Sequence, residues 1–319
     1  MSTPNQAGSM PVKDRIREFR LRLPCGRRVP VGVGCAWVGR KGPDAATMKS
    51  DVELLLSCYR SGFRFFDSAR AYGDSEIVLG EFLKEVPREE VFVATKAKFE
   101  SGQEDFETFK RSYFESFERL GVDHIDCFQI HECLSYEPCV PDVIPFLVEQ
   151  REKGAISCIG MGTRSVNTLE VAARSGYFNS VLSYQNYSLL KKSAHGLIDC
   201  CAHHGVAFYN ASALHFGMIT APETAGVDAK YCYRRRHQLL SLELRKLCER
   251  IGVNVVAAAI QFSLFNPGID MLLNGIKQIS DLESTLAALN TAIYPEQWAA
   301  ITELQERDPY LYVQDDIVR

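Results

Sequence analysis

The sequence predicts a parallel (β/α)8 TIM barrel, and three observations predict it. Short apolar runs alternate with longer segments whose apolar residues recur every three or four positions. There are eight such runs in 319 residues, more than the roughly six strands usual in an open doubly wound sheet. The runs are apolar on both faces, as strands are when helices cover a parallel sheet.

Taken in order, "RLRLPCGRRVPVG" (20–32) sets a glycine between two short extended segments, which predicts an N-terminal β-hairpin ahead of the barrel. Residues 1–18 are expected to be disordered. The barrel strands are expected at 29–37, 63–68, 91–97, 124–131, 155–162, 180–185, 205–212 and 270–276. Helical periodicity fills the intervals, in segments such as "SEIVLGEFLKEV", "DFETFKRSYFESFERLG" and "VNTLEVAARSG". Gly62, Gly121, Gly154, Gly176 and Gly205 each stand where a helix C-terminus wants a left-handed residue. Arg235 to Phe265 reads as one long helical segment, and Pro295 opens a C-terminal helix that gives way to an irregular tail. No low-complexity linker divides the chain, so 1–319 is read as one domain.

A net charge of −4, with 24% charged and 46% hydrophobic residues, shows no excess of either sign that would attract nucleic acid. No run approaches the roughly 20 apolar residues needed to span a bilayer, and the polar opening "MSTPNQAGSMPVKDR" lacks the apolar core of a signal peptide. A cytoplasmic protein, monomeric by default, with a small-molecule partner is expected. The 11 cysteines are an odd number, scattered through core-like runs, and read as reduced small hydrophobes. His131, Cys133 and Cys139 lack the CxxC pair that would complete a zinc site, and "HECLS" puts Ser135 where a zinc-protease helix needs its second histidine. No metal is expected. "GVG" (32–34) and "GMG" (160–162) lack the third glycine of a dinucleotide fingerprint.

In a parallel barrel the chemistry sits where strands end. Asp67 ends the second strand, Tyr72 follows in its loop, Lys96 falls at the end of the third strand and His131 at the end of the fourth. Neighbouring strands are about 4.8 Å apart, so these side chains are expected to cluster. An ammonium beside a tyrosine favours the phenolate, and Asp67 would keep that ammonium charged. His131 could orient a carbonyl or hydroxyl oxygen toward Tyr72. The set reads as an acid/base for interconverting an alcohol and a carbonyl. An Asp and a Lys at strand ends can also be a plain structural ion pair; four compatible residues in strand order argue for the chemistry.

At these residues the sequence resembles the aldo-keto reductase family. "FFDSARAYG" is similar to its FDTAxxYG, "VATKAKF" to its strand-end TK, "DCFQIHE" to its strand-end H, and "LVEQREKGAISCIGMG" to its LxxLxxxGKIRxIGVS. The resemblance, from about residue 20 to 290, implies a catalytic tetrad of Asp67, Tyr72, Lys96 and His131 with Tyr72 as acid/base, and a nicotinamide cofactor across the C-terminal face. Gly162 and Thr163 stand where the family usually has Ser-Asn to hold the carboxamide, and Tyr184, with Gln185 one step later, where a glutamine usually sits. Gly34, Cys35 and Gly275 are assigned to the cofactor, together with Ser212, Leu214 and Gly217 of "SALHFGMIT", which resembles SPLGxGLLT with His215 in place of a glycine. Lys277 and Asp281 fall at the adenosine end. NADP-using members place a basic residue where Asp281 aligns, so the resemblance favours NAD, with NADP tolerated. Trp37, the loop 133–138 and the stretch 231–236 are the expected substrate walls. The chain looks most like the L-galactose and D-arabinose dehydrogenase branch, which implies oxidation of an aldose to a lactone. An NADPH-dependent reductase of generic or pyridoxal-like aldehydes, and a cofactor-binding sensor or partner subunit with little turnover, are the alternatives.

Overall fold

The computed structural model describes residues 12–40, 45–99, 105–139, 141–221 and 232–314. Eight parallel strands close into a barrel in chain order: β3 (Val31–Gly34), β4 (Phe65–Asp67), β5 (Phe92–Lys98), β6 (Ile125–His131), β7 (Ile156–Gly162), β8 (Ser180–Tyr184), β9 (Ala207–Ala211) and β10 (Met271–Gly275), with β10 pairing back onto β3. Each lies within one of the eight runs expected from sequence, except β5, whose last residue extends one position beyond. The hairpin is present as β1 (Leu21–Arg22) antiparallel to β2 (Arg28–Val29).

The barrel interior is filled rather than hollow. Phe65 and Phe92 stack with ring centroids 4.6 Å apart, and Tyr209 meets Phe65 edge-on at 5.3 Å. The bottom of this column is closed by a helix the sequence reading did not anticipate. Residues 12–18, expected with the rest of 1–18 to lack order, form α1 (Val12–Glu18). Ile16 packs into the Phe65, Phe92 and Tyr209 cluster, a burial worth about 1.5–3 kcal/mol. Arg15 bonds Asp126 and Ser157, and Lys13 lies 3.4 Å from Asp270, so charge anchors the flanks of the plug.

Outside the barrel run α2 (Ala45–Arg60), α3 (Ser75–Leu83), α4 (Phe106–Leu120), α5 (Val143–Glu152), α6 (Val166–Arg174) and α7 (His195–His204). The five expected helix-ending glycines all have positive φ. The segment expected as one long helix is two, α8 (Cys232–Arg250) and α9 (Val255–Leu264), bent by 106°. The break follows from Gly252 at φ 69° and from Asn254, whose side chain accepts the N–H groups of Val256 and Ala257 and starts a new helix. α10 (Ile279–Asn290) and the C-terminal α11 (Pro295–Glu306) complete the ring. Among the described residues no single helix is long and apolar enough to cross a membrane, and none of the ten described cysteine side chains is in a disulfide.

Strand register sets the site. Lys96 pairs with Gln129, and His131 pairs with Gly162. Opposite Gln129, Gly160 is required for space, because a Cβ there would lie 2.6 Å from the Gln129 Cγ.

Candidate active site

At the C-terminal mouth, β4 delivers Asp67 and β5 delivers Lys96, both buried. The Lys96 ammonium donates to Asp67 Oδ2 at 2.5 Å and to the Ser68 carbonyl at 2.5 Å. Gln129, two residues before His131 on β6, donates to the other oxygen of Asp67 at 2.9 Å. Burial alone would lower the pKa of Lys96, but the facing Asp67 carboxylate overrides it and holds the ammonium charged, above its ordinary value.

The loop after β4 is tied to β5 by Ser68 N–H to the Ala94 carbonyl and Arg70 N–H to the Lys96 carbonyl, both 2.8 Å. That tie brings Tyr72 over the pair, with Lys96 Nζ 5.0 Å from the ring centre, while His131 stands perpendicular to the same ring at 5.6 Å. All four residues expected to cluster do so. The sequence reading expected Lys96 to lower the Tyr72 pKa. It does pull in that direction, but burial outweighs it, so the phenol stands above its ordinary value. Burial also lowers the pKa of His131, assisted by Lys96 and opposed by Glu132, leaving the imidazole neutral at pH 7.

This cluster floors a cavity of about 750 Å³, within the range of about 300–1,000 Å³ typical of small-molecule sites. Gly34, Gly162, Tyr184, Ser212, Leu214, Gly217, Gly275, Lys277, Asp281 and Trp37 line it. Trp37 is not at the end of a strand. β3 stops at Gly34, and Trp37 sits in the 3-10 turn Cys35–Trp37, 43% exposed, against Gly275, where a Cβ would reach its ring at 3.0 Å. Lys277 Nζ lies 4.9 Å and the Arg40 guanidinium 5.4 Å from the Trp37 ring. Asp281, in the first turn of α10, accepts the Lys277 N–H at 3.0 Å.

Three expected cofactor residues do not reach the cavity. Cys35 is buried with its thiol turned toward the Val33 carbonyl. Thr163 is buried behind the wall, its hydroxyl accepting the Ser165 N–H at 3.4 Å. Gln185 leaves β8 at φ 63°, which turns it away from the register Tyr184 keeps. The turn after β9 is closed by its own hydrogen bonds. The N–H groups of His215 and Gly217 are taken by the Ser212 and Leu214 carbonyls, and the His215 ring is buried, stacked edge-on against His237 at 4.7 Å. No residue of the loop 133–138, expected as a substrate wall, is among those lining the cavity; Cys133 is buried and Glu137 and Pro138 are exposed, and Tyr231 lies outside the described residues.

Sequence reasoning missed Gln129, Arg40 and Glu132. Glu132 and Arg40 line the cavity. The signal for Glu132 was available: a carboxylate directly after a strand-end histidine.

A lysine–carboxylate pair beneath a tyrosine, at the mouth of a parallel barrel and facing an open cavity, defines an acid/base oxidoreductase. The Aldo/keto reductase family profile matches residues 30–306, and the chain belongs to that family, whose members are NAD(P)(H)-linked oxidoreductases. It is similar to the L-galactose dehydrogenase of Arabidopsis thaliana, 29% identical over 272 residues, covering 81% of this chain and 83% of that one. It is also similar to a D-threo-aldose 1-dehydrogenase of Pseudomonas sp, 26% identical over 78% of this chain and 86% of that one. Among solved structures, an aldo/keto reductase from Klebsiella pneumoniae in complex with NADP and acetate shares the fold with a TM-score of 0.69, at 18% identity and covering 94% of this chain and 99% of that one.

Proposed function

We propose that this protein is a cytoplasmic, NAD-preferring aldose 1-dehydrogenase that oxidises an aldose of the L-galactose or D-arabinose type at its anomeric carbon to the lactone. The observation that carries the reading is Tyr72 placed over the Lys96–Asp67 pair and beside His131, on the floor of a cavity large enough for a sugar and a nicotinamide. The relatives named above support the sugar. In this reading the C1 hydrogen leaves as hydride and the O1 proton passes to the Tyr72 phenolate, so the hemiacetal carbon becomes the lactone carbonyl. Lys96 stabilises that phenolate, Asp67 and Gln129 hold Lys96, and the neutral His131 imidazole donates to O1.

A nicotinamide cofactor supplies the hydride acceptor when bound. Gly34, Gly162 and Gly275 carry no side chain into the cavity and leave room for its ring, with Tyr184 as the flat wall beside it. Ser212, Leu214 and Gly217 fit the pyrophosphate, and Lys277 and Asp281 the adenosine end. Asp281 supports the preference for NAD: an anionic carboxylate at the start of α10 repels a 2′-phosphate and can accept hydrogen bonds from a free ribose. Lys277, with its ammonium 4.9 Å from the Trp37 ring centre, keeps its charge and pulls the other way, so NADP is tolerated.

The test is the absorbance of reduced nicotinamide when the protein is mixed with NAD or NADP and L-galactose, D-arabinose or L-fucose. Sugar-dependent reduction, faster with NAD, is expected. Silence with every sugar, together with NADPH-driven reduction of aldehydes, would replace this reading with that of a carbonyl reductase. Cofactor binding without turnover of either kind would leave a sensor.

A further inference from the structure

Beside His131 the cavity holds an ionised group that the acid/base chemistry does not use. Glu132 follows His131 at the end of β6, its backbone at φ 58°, a left-handed conformation costing a non-glycine residue about 1–2 kcal/mol. Strain of this kind persists where surrounding structure enforces it, often at ligand sites. Here the Glu132 N–H is pinned to the Gly162 carbonyl at 2.9 Å, and the turn carries the carboxylate back into the cavity it lines. Tyr184 donates its hydroxyl to the two oxygens at 2.9 and 3.0 Å, and His131 Nε2 lies 3.3 Å from Oε1. Burial pushes the Glu132 carboxyl up, but these two neighbours outweigh it and keep it below its ordinary value, so it is an anion at neutral pH.

A carboxylate has about four acceptor positions. The Tyr184 phenol occupies one, and the side chain is 26% exposed; with substrate held, the single N–H of the neutral His131 serves the reacting oxygen and leaves Glu132 Oε1, 3.3 Å away, open to a second donor. The remaining acceptors stand one hydrogen-bond length from His131 Nε2, the atom that would hold the reacting oxygen. The two oxygens of a vicinal pair are separated by about the same distance. We propose that Glu132 is a specificity residue whose carboxylate accepts a hydrogen bond from the substrate hydroxyl on the carbon next to the reacting one, so that the site selects 2-hydroxy carbonyl compounds and aldoses over plain aldehydes. The assignment of His131 rests on the proposed function, but the hydroxyl preference can be tested without any sugar. A site that hydrogen-bonds a hydroxyl discriminates strongly against the analogue lacking it, because its own polar group is then left unpaired.

The experiment measures kcat/KM for reduction of glyceraldehyde and of propanal with NADH, in the wild type and in Glu132→Gln and Glu132→Asp, with circular dichroism and NADH affinity checking that each variant folds. The readout is the ratio of the two kcat/KM values. Glu132→Gln keeps the shape and removes the anion, and its ratio is expected to fall by about ten-fold or more, the worth of a hydrogen bond to a charged group, whereas Glu132→Asp keeps part of it. A ratio unchanged in Glu132→Gln, including a parallel loss on both aldehydes, would overturn the proposal and leave Glu132 as a residue that only positions His131. Failure of the aldose reading shows separately, as absent NAD reduction with sugars while the glyceraldehyde preference persists.

Discussion

The two sides of the barrel mouth are built on opposite plans. On the β4–β6 side, Asp67, Lys96, Gln129 and His131 come from strands and are buried, and Asp67 is held by hydrogen bonds from Lys96 and Gln129. On the β9–β10 side, the cavity wall comes from turns and the start of α10, with Trp37 43% and Phe216 57% exposed. Strand register fixes one side. Loop chemistry shapes the other. The difference suggests that the proton-transfer geometry is set by the fold, whereas cofactor and substrate choice is set by residues that can change without disturbing it.

The contrast breaks most clearly at Tyr72. Tyr72→Phe is expected to cut turnover by about 10²–10⁴, the usual worth of a positioned acid/base, while cofactor affinity measured by nucleotide fluorescence changes little. Loss of both would mean that the buried side also holds the cofactor. Lys96→Met is next. It leaves Asp67 buried without its cation, so denaturant unfolding should show a loss of about 3–5 kcal/mol, with turnover falling about ten- to a thousand-fold as the help to the phenolate disappears. Restoring stability by adding Asp67→Asn, without restoring turnover, would separate the structural from the chemical role.

Proton transfer also sets a pH signature. Burial holds the Tyr72 phenol protonated above its ordinary range. As a base it must first lose that proton, so kcat/KM for sugar oxidation should climb with pH through the neutral and alkaline range, by about ten-fold per unit for a single group. As an acid it is already protonated, so aldehyde reduction should be flat near neutrality and fall only at high pH. His131, held neutral by burial, should add no step near pH 7. Profiles of both directions check this. On the open side, Asp281→Arg should shift the NADP/NAD ratio of kcat/KM by about ten-fold or more toward NADP, leaving the alkaline limb unmoved. An unchanged ratio would remove Asp281 from cofactor selection.

The same division explains what the sequence made legible. Strand ends are marked by an apolar run meeting a charge, so Asp67, Lys96 and His131 could be read, and Tyr72 with them. Gln129 could not, because a polar residue inside a buried strand carries no signal until register sets it against Lys96 and Asp67. Cys35, Thr163 and Gln185 were placed by resemblance. Each stands outside the cavity lining for a local reason: the first two are buried, and a left-handed φ turns the third out of the register of β8. Glu132 stood in plain view but was read only against a metal motif. α1 escaped because its seven residues gain most of their order from the barrel bottom they plug rather than from helical propensity.

The central claim is that an aldose gives up its C1 hydrogen as hydride at this site. The most direct measurement supplies the protein with NAD and [1-²H]L-galactose or [1-²H]D-arabinose and follows the label by NMR. Deuterium on C4 of the reduced nicotinamide together with the corresponding lactone is the predicted result; absence of label transfer from every aldose, in protein that binds the cofactor and reduces simple aldehydes, would contradict it.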